Sequence, residues 1–365
     1  MATILLNMAS QPPGKPTGVA RFGIELSRRL IARGTHKYLF RSAWSREQLP
    51  SEFASGASLI TIPPVTSYFA EVVKSSLAAS SRFPAGEVDA IVNIDPLGLA
   101  AGGRRRLTIV HDLYYRALPE LSSRYQRIKA QAIHAAVLHR SHAIVTVSHT
   151  TAADVRRFFP SLAGRVTAIH SDSIMAATAP GPLPSQVSDH PYVLAVANVT
   201  ANKNFAVLAE AFGQIAQQFP ALRLVHVGGD DAEVFQSVLG RYVAGDRLIR
   251  LQAIDDGVLA SLYAHALCLC VPSLYEGFCL PIVEAQRLGC PVLFSNRSAS
   301  GEIGGSGGIP FDPEDTKGLA FHLRRVIDDA ALRHDLAEAG RRNVERFSWE
   351  RAVVEYENVL GDLLT

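Results

Sequence analysis

Residues 266–292 read ALCLCVPSLYEGFCLPIVEAQRLGCPV, and their order points to the class of fold. Ala266–Val271 is a short, continuously apolar run of strand length. Pro281 suits the first turn of a helix, where its missing N–H costs nothing, and Gly289 is a natural helix stop. Pro291–Phe294 is apolar and strand-like again. Strand, loop, helix and strand in such close succession make a unit that closes only as a parallel sheet with a crossover helix.

The same alternation runs outward on both sides. Downstream of residue 191, Tyr192–Ala197, Leu222–Val227 and Leu248–Leu251 read as strands. Asn204–Phe219 reads as a helix with Phe205, Leu208, Phe212, Ile215 and Phe219 on one face, and Asp255 is a plausible N-cap for Asp256–Ala266. From Pro313 the tail reads as two or three helices, ending in Trp349–Leu364. Upstream, strands are expected at Thr3–Met8, Lys37–Ala43, Ser58–Ile62, Ala90–Ile94, Leu107–Val110, Ala143–Val147 and Val166–Ile169. Helical patterns are expected at Phe22–Ile31 and Tyr125–Leu138. Residues 176–191 carry four prolines and no period, which marks a linker. The expectation is two doubly wound, Rossmann-like α/β domains facing across a cleft. They would be residues 1–175, the linker 176–191, a domain at 192–346 and a closing helical segment at 347–365. Ligands in such sheets bind at the carboxyl ends of strands, so chemistry is sought in the loops that follow them.

Composition narrows the classes. The 365 residues are 48% hydrophobic and 19% charged, which excludes a disordered chain, collagen or a small disulfide scaffold. No apolar stretch approaches the ~18–20 residues that span a bilayer, and Ala2–Met8 is too short for a signal peptide, so a cytoplasmic protein is expected. Cys268, Cys270, Cys279 and Cys290 show no C-x-x-C spacing and read as reduced, buried thiols. The net charge of +2 hides an asymmetry: residues 1–175 carry 21 Lys+Arg against 11 Asp+Glu, and residues 176–365 carry 15 against 23. A basic first half fits anionic lipid, a phosphorylated substrate or nucleic acid. No nucleic-acid module or aromatic-interleaved basic stripe supports the last. The cations of Arg104-Arg105-Arg106, with Arg124, Arg127 and Lys129, are either a solvated face or a contact for anionic lipid or a lipid-diphosphate acceptor.

Within the opening stretch, Gly277, Phe278, Cys279 and Leu280 lead into a helix N-terminus. Its amides and positive dipole end favour hydroxyl or phosphate oxygens. Glu276 lies on the loop and Glu284 about one turn into the helix, so two carboxylates can face one pocket; the plainer readings are a solvated loop acid and a dipole-stabilising acid. Lys203 ends a loop and opens a helix, a poor place for an ammonium unless an anion lies between. In the first half, Gly14–Arg21 is a glycine-bearing loop after a strand, with Gly18 as the candidate phosphate contact. His111-Asp112 stands directly at a strand's carboxyl end, and His170 is a fainter candidate.

The string E-G-F-C-L-P-I-V-E resembles the E-x7-E signature of the family 4 glycosyltransferases, retaining enzymes of the GT-B fold. Residues 247–266, Gly289–Val292 and Phe347–Leu364 resemble the segments that surround it in that family, and the likeness extends over almost the whole chain. It implies that the closing segment 347–365 packs back on the first domain. It implies that Glu276 contacts the donor sugar, that Glu284 holds ribose hydroxyls and that Lys203 binds the diphosphate, although the arginine that usually accompanies this lysine is missing from Val199–Asn204. It adds weight to Gly18 and places His111 near the transferred sugar. His111–Glu120 and the Asn202-Lys203-Asn204 loop look most like bacterial mannosyltransferases of polysaccharide assembly, closest in character among the relatives of that family. The implied function moves a hexose, mannose first, from a nucleotide-sugar donor to a glycan or lipid-diphosphate-linked acceptor in surface polysaccharide synthesis. GDP-mannose is the first donor and a UDP-sugar the runner-up. No cofactor or essential metal is expected, since no Asp-x-Asp pair suits Mg²⁺ and cations with helix dipoles can stabilise the leaving diphosphate. The chain would be cytoplasmic, peripheral on the inner face of the membrane. A sugar-nucleotide epimerase on the same fold and a catalytically silent nucleotide-sugar-binding protein are the alternatives.

Overall fold

Strands that are apolar on both faces must be covered on both faces, and the central strands of the first sheet are. In the computed structural model, residues 1–11, 17–61, 88–97, 105–173, 175, 178–229, 232–243 and 245–365 are described. Strands β1 (Thr3–Asn7), β2 (Lys37–Ser42), β3 (Ala57–Thr61), β4 (Ala90–Asn93), β5 (Arg105–Val110), β6 (Ala143–Thr146) and β7 (Val166–Ala168) lie in the order β3-β2-β1-β4-β5-β6-β7. Every neighbouring pair is parallel. Ile4, Leu5, Leu6, Ile91 and Leu107 are fully buried. The order reverses between β1 and β4, which makes that the switch point of the sheet.

One polar row crosses this apolar sheet and fixes its register. The Arg41 guanidinium donates to Asn7 Oδ1 (3.0 Å), Asn7 Nδ2 to Asn93 Oδ1 (3.0 Å) and Asn93 Nδ2 to Thr108 Oγ1 (3.3 Å). The Thr108 and Ser141 hydroxyls are 2.7 Å apart. All five residues are buried, and the pairings Asn7 with Arg41, Asn7 with Asn93 and Asn93 with Thr108 are those of the backbone register. Slipping a strand by one residue would turn these groups to the other face and leave buried polar atoms unpaired, at about 1–3 kcal/mol each.

The helix expected at Phe22–Ile31 runs over Gly18–Arg33. Thr17 caps it by accepting from Ala20 N (3.2 Å), and Gly34, with φ 64°, stops it in the left-handed conformation. The tail from residue 313 holds three helices, Thr316–Asp328, Ala330–Val344 and Trp349–Leu364.

The second sheet repeats the first plan. Strands β8 (Tyr192–Val196), β9 (Arg223–Val227), β10 (Leu248–Leu251), β11 (Cys268–Val271), β12 (Val292–Ser295) and β13 (Ile309–Phe311) lie in the order β10-β9-β8-β11-β12-β13, all parallel. Its switch point lies between β8 and β11. All four cysteines are buried free thiols.

The chain divides into two compact units, Met1–Ser171 with Ser348–Thr365, and Asp172–Phe347. Much of the Pro-rich stretch after residue 177 is fastened to the second unit: Gly181 N donates to Gly257 O (2.8 Å), Ser261 Oγ donates to Gly181 O, and Val187 is buried. Arg287 ties the two ends of the second unit together. Its guanidinium pairs with the Asp172 carboxylate (2.6 and 3.1 Å) and donates to the Val344 and Phe347 carbonyls (3.2 and 2.8 Å).

The C-terminal helix belongs to the first unit because its apolar face needs that core. Trp349, Val353, Tyr356, Leu360 and Leu363 are buried. Arg29 pairs with Glu350 and Arg33 with Glu357, both at 2.7 Å. Arg105 donates to the Leu363 carbonyl (2.6 Å) and the Thr365 carbonyl (3.3 Å), a cation on the negative end of the helix dipole. The reading of the triple-arginine run as a solvated or lipid-facing patch is therefore corrected for two of its members. Arg105 holds the C-terminal helix, and Arg106 is buried with its guanidinium donating to the Arg140 carbonyl (3.1 Å). Arg104 lies outside the described residues, as do Gly14, Lys15 and Pro16 of the first loop.

A buried pair, Tyr115 and His134, makes stability depend on pH. The Tyr115 hydroxyl is 2.6 Å from His134 Nδ1. Burial, with Arg116 adding repulsion, pushes His134 from its ordinary 6.5 down to about 3. Burial also raises Tyr115, so the phenol stays protonated and donates to the neutral imidazole. The unfolded chain then takes up this proton first as pH falls. The stabilisation is complete above about pH 6.5 and is lost progressively toward pH 3, at up to about 1.4 kcal/mol per pH unit from this group. Denaturant unfolding of wild type and His134→Gln across pH 4–7 is expected to show that part of the slope in the wild type alone; equal slopes would assign it to another group.

Candidate active site

Two loops of the second unit meet because their strands do. β8 and β11 are parallel neighbours, with Cys268 opposite Val193, so the loops that leave their carboxyl ends start side by side. Leu274 N donates to Asn202 O (2.8 Å), and Asn202 Nδ2 donates to Tyr275 O (3.3 Å). Asn204 adopts φ 54°, which asparagine tolerates better than most residues, and its amide donates to the Pro272 and Pro313 carbonyls (3.2 and 2.8 Å). This stitching sets Lys203 on Glu276. The ammonium lies 2.7 and 2.8 Å from the two carboxylate oxygens, with both side chains largely shielded from solvent. Ser273 Oγ donates to Glu276 Oε1 (2.7 Å), and Glu276 N donates to Ser298 Oγ (2.8 Å).

The sequence treats Lys203 and Glu276 as separate candidates 73 residues apart; the structure makes them one ion pair. A shielded pair of this kind contributes little net stability, because desolvation offsets the attraction. Its value is positional. A carboxylate held through both oxygens by an ammonium is a weak nucleophile but still accepts hydroxyl hydrogens on its remaining lone pairs.

The helix Leu280–Arg287 begins under strain. Cys279, its N-cap, has φ 79° and ψ 66°, and no side chain caps the helix. Ser298, the residue that accepts from Glu276 N, has φ 50°. Left-handed backbone at a non-glycine residue costs on the order of 1–3 kcal/mol and persists where packing over-determines it. Here Phe278 packs edge-on against Phe347 (5.7 Å), and Gly277, Phe278 and Cys279 are buried. Gly277, Phe278, Cys279 and Leu280 thus lead into a helix N-terminus as the sequence predicts, with the positive end of the dipole there for an oxyanion. Burial pushes the Cys279 thiol well above its ordinary range, so this residue offers backbone rather than sulfur chemistry. Glu284 is buried inside the helix and accepts from the Tyr263 hydroxyl (2.8 Å). That places it apart from a solvated, dipole-stabilising acid. Burial, and then the Glu284 charge, hold the Tyr263 phenol protonated.

The first unit has a second polar cluster at the switch point of its own sheet. Gly18 is the first residue of its helix, exposed, next to the Thr17 cap. Gln11 accepts from Thr17 Oγ1 (3.0 Å) and donates to Asp95 (2.7 Å), which also accepts from Ser10 Oγ and from Leu97 N (2.7 Å). One buried carboxylate after β4 therefore holds the loop after β1. His111 follows β5. Its Nε2 is 2.8 Å from the Ile94 carbonyl and its ring meets Phe22 edge-on (4.9 Å). Burial lowers its pKa, opposed by the Ile94 hydrogen bond and by Asp95 and Asp112. A carbonyl only accepts, so Nε2 carries the proton and Nδ1 is left as the acceptor. Phe22 in turn packs on Trp349 (5.6 Å) of the C-terminal helix. His170 packs edge-on against His149 (5.1 Å).

Several contributors escaped the sequence reading. Ser273, Ser298 and Tyr263 position the two glutamates, and Asp95 and Phe22 position the first-unit cluster. Ser298 and Asp95 had a visible signal, since both follow strands at the carboxyl edge. Tyr263 had none beyond its place in an apolar helix.

Comparison with known proteins follows the two halves. Residues 184–343 match the family Glycosyl transferases group 1, and residues 16–171 match Glycosyltransferase Family 4. An O-antigen chain mannosyltransferase B from Escherichia coli is 27% identical over 266 residues, 70% of this chain and 69% of that protein. A phosphatidyl-myo-inositol mannosyltransferase from Mycobacterium tuberculosis is 33% identical over 172 residues, 44% of each chain. Among solved structures, sucrose-phosphate synthase from Thermosynechococcus elongatus superposes with TM-score 0.80 at 22% identity, over all of this chain and 99% of that one. Anabaena Alr3699/HepE, in complex with UDP and glucose, gives TM-score 0.77 at 18% identity over the whole of both chains. At those identities the likeness bears on the fold. On two parallel sheets of this strand order, matched along both halves, the chain belongs to the GT-B glycosyltransferases, among enzymes of the group 1 and family 4 kind and related to bacterial mannosyltransferases.

Proposed function

We propose that this glycosyltransferase moves mannose, with retention of configuration, from GDP-mannose to a glycan or lipid-diphosphate-linked acceptor of surface polysaccharide, working in the cytoplasm at the inner face of the membrane. The observation that carries the reading is the Lys203–Glu276 pair beside an uncapped helix N-terminus. In a nucleotide sugar the hexose hangs directly on the distal phosphate. A carboxylate for sugar hydroxyls and an ammonium for the phosphate must therefore stand within a few ångströms of each other, as these do. Mannose as the sugar is supported by the names of the matched relatives. A UDP-hexose is the second donor.

Each residue then has a task. Lys203 and the Leu280 helix dipole stabilise the charge that grows on the leaving diphosphate. Gly18, at its own helix start, is the candidate phosphate contact of the first unit. Glu276 orients the sugar. Glu284, one turn deeper, accepts the ribose hydroxyls. Retention proceeds by same-face attack: the acceptor oxygen bonds to the anomeric carbon as its bond to the phosphate oxygen breaks, and that phosphate oxygen takes the acceptor proton. The engagement of both Glu276 oxygens by Lys203 argues against a covalent glycosyl-enzyme. Neutral His111 presents Nδ1 to a hydroxyl of the sugar or the acceptor.

The reading is tested by assaying transfer from GDP-mannose against UDP-glucose and assigning the product anomer by NMR. Thermal shift with each nucleotide gives the base, since a true ligand at about 100 Kd adds roughly 2.7 kcal/mol. No transfer from either donor, despite nucleotide binding, would point to a silent binding protein.

The two glutamates are expected to separate. Glu284→Ala should weaken bare GDP binding about ten- to a hundred-fold. Glu284→Gln, which keeps an acceptor for Tyr263, separates that loss from any loss of stability. Glu276→Ala releases Lys203, so GDP affinity should hold or rise while kcat falls at least about a hundred-fold. Calorimetry with GDP alone beside the transfer assay measures both, and equal affinity loss in the two alanine variants would refute the division.

His111→Ala is expected to lower kcat steeply with GDP affinity within about twofold. Because burial lowers the His111 pKa, its neutral form persists below the ordinary 6.5, and the acid limb of the kcat–pH profile should lie below that value. An acid limb at or above 6.5 that vanishes in His111→Gln would overturn the assignment.

A further inference from the structure

Asp95 is a buried carboxylate whose hydrogen-bond partners, among the described residues, are all neutral donors. Its Oδ1 accepts from Leu97 N across Pro96 (2.7 Å). Its Oδ2 accepts from Ser10 Oγ and from Gln11 Nε2 (2.7 Å). The bond to Leu97 is an Asx turn, which fixes the carboxylate on its own backbone and leaves the other oxygen for the loop after β1. A neutral acceptor would serve such a turn at a lower desolvation cost, so the charge at this position has a use of its own. One use is direction. A carboxylate only accepts, so Gln11 turns its NH2 toward Asp95 and its carbonyl away. Gln11 Oε1 then takes the hydroxyl hydrogen of Thr17 (3.0 Å), and the Thr17 oxygen is left to accept from Ala20 N (3.2 Å). One negative charge thereby sets the polarity of each bond from the end of β4 to the cap of the helix Gly18–Arg33. The other use is its field at His111. Ile94, the residue before Asp95, accepts from His111 Nε2 (2.8 Å) and donates its own N–H to the Asn7 carbonyl (3.1 Å). The strand end that carries Asp95 therefore also orients the imidazole. The charged groups that act on this ring are Asp95 and Asp112. From the Gly18 helix the ring meets Phe22, and from the helix His149–Phe158 the Thr151 hydroxyl donates to the His111 carbonyl (3.4 Å).

We propose that Asp95 is a positioning residue for the transfer reaction: its charge fixes the bond directions that hold the start of the Gly18 helix, and its strand end holds the His111 ring, so both first-unit groups are set from one place. The inference rests on the roles proposed for Gly18 and His111. Asp95 itself touches neither substrate nor reacting atoms and acts through Gln11, Thr17 and the Ile94 carbonyl.

The experiment uses the full chain. Turnover of GDP-mannose, or of UDP-glucose if the wild type prefers it, is followed as nucleotide released from about pH 5 to 8. Nucleotide affinity and the unfolding midpoint are measured beside it. Asp95→Asn keeps the size of the side chain but lets Gln11 turn either way. It should lower kcat about tenfold to a hundredfold, with nucleotide affinity within about twofold. It should also move the acid limb of the kcat profile to lower pH, because an anion beside the imidazole favours the protonated ring and its loss does the reverse. Gln11→Met leaves the charge in place, so kcat should fall while the acid limb stays. That variant also tests the same bonds if Asp95→Asn lowers the unfolding midpoint. Asp95→Asn/Gln11→Glu restores a single bond direction: the new amide donates to the new carboxylate, which still accepts from Thr17. Its kcat should return to within about threefold of wild type. Normal kcat in Asp95→Asn or in Gln11→Met, an unmoved acid limb in Asp95→Asn, or a double variant no better than Asp95→Asn would each overturn the proposal. His111→Ala, measured alongside, keeps the two readings apart. If it is inactive while Asp95→Asn is normal, the positioning role alone fails. If His111→Ala is itself normal, the role proposed for His111 fails and the Asp95 role with it.

Discussion

A parallel sheet that winds outward in both directions from one strand leaves a gap at the reversal, where the connecting loops part and no helix can fill the space. That constraint operates twice in this protein. In the second sheet the reversal falls between β8 and β11, and the loops after these strands carry Lys203 and Glu276. In the first sheet it falls between β1 and β4, and the loops there carry Gly18, Gln11 and Asp95. Hydrogen bonds among backbone and amide groups then convert loops that merely start together into fixed sites.

Rigidity at the second-unit site comes from using up polar groups. Both Asn202 and Asn204 bond backbone across to the neighbouring loop, Ser273 and Ser298 bind Glu276 from two directions, and Tyr263 occupies one oxygen of Glu284. The left-handed conformations of Asn204, Cys279 and Ser298 cluster in the same place. Strain held by surrounding packing fixes the direction of the Leu280 helix end.

The first unit depends on a piece of chain that is remote in sequence. His111 leans on Phe22, Phe22 on Trp349, and the helix that carries Trp349 is anchored by Arg29, Arg33 and Arg105. Two arginines that look like free surface charge in the sequence thus hold structure.

The parallel α/β plan is legible in the amino-acid order, because continuous apolar strands and 3.6-period helices are local patterns that only covered sheets satisfy. The E-G-F-C-L-P-I-V-E loop is legible there too, since Pro281 and Gly289 bracket a helix whose start must follow Val271. Only the folded chain makes Lys203 and Glu276 one pair, buries Glu284 under Tyr263, and bonds Arg105 and Arg106 to backbone carbonyls of remote segments. The reason is the same in each case. Periodicity reports which face of an element is apolar, but which residue meets which across a sheet is set by strand order and register. Those follow from how distant segments exclude water together, and no local window of sequence contains that information.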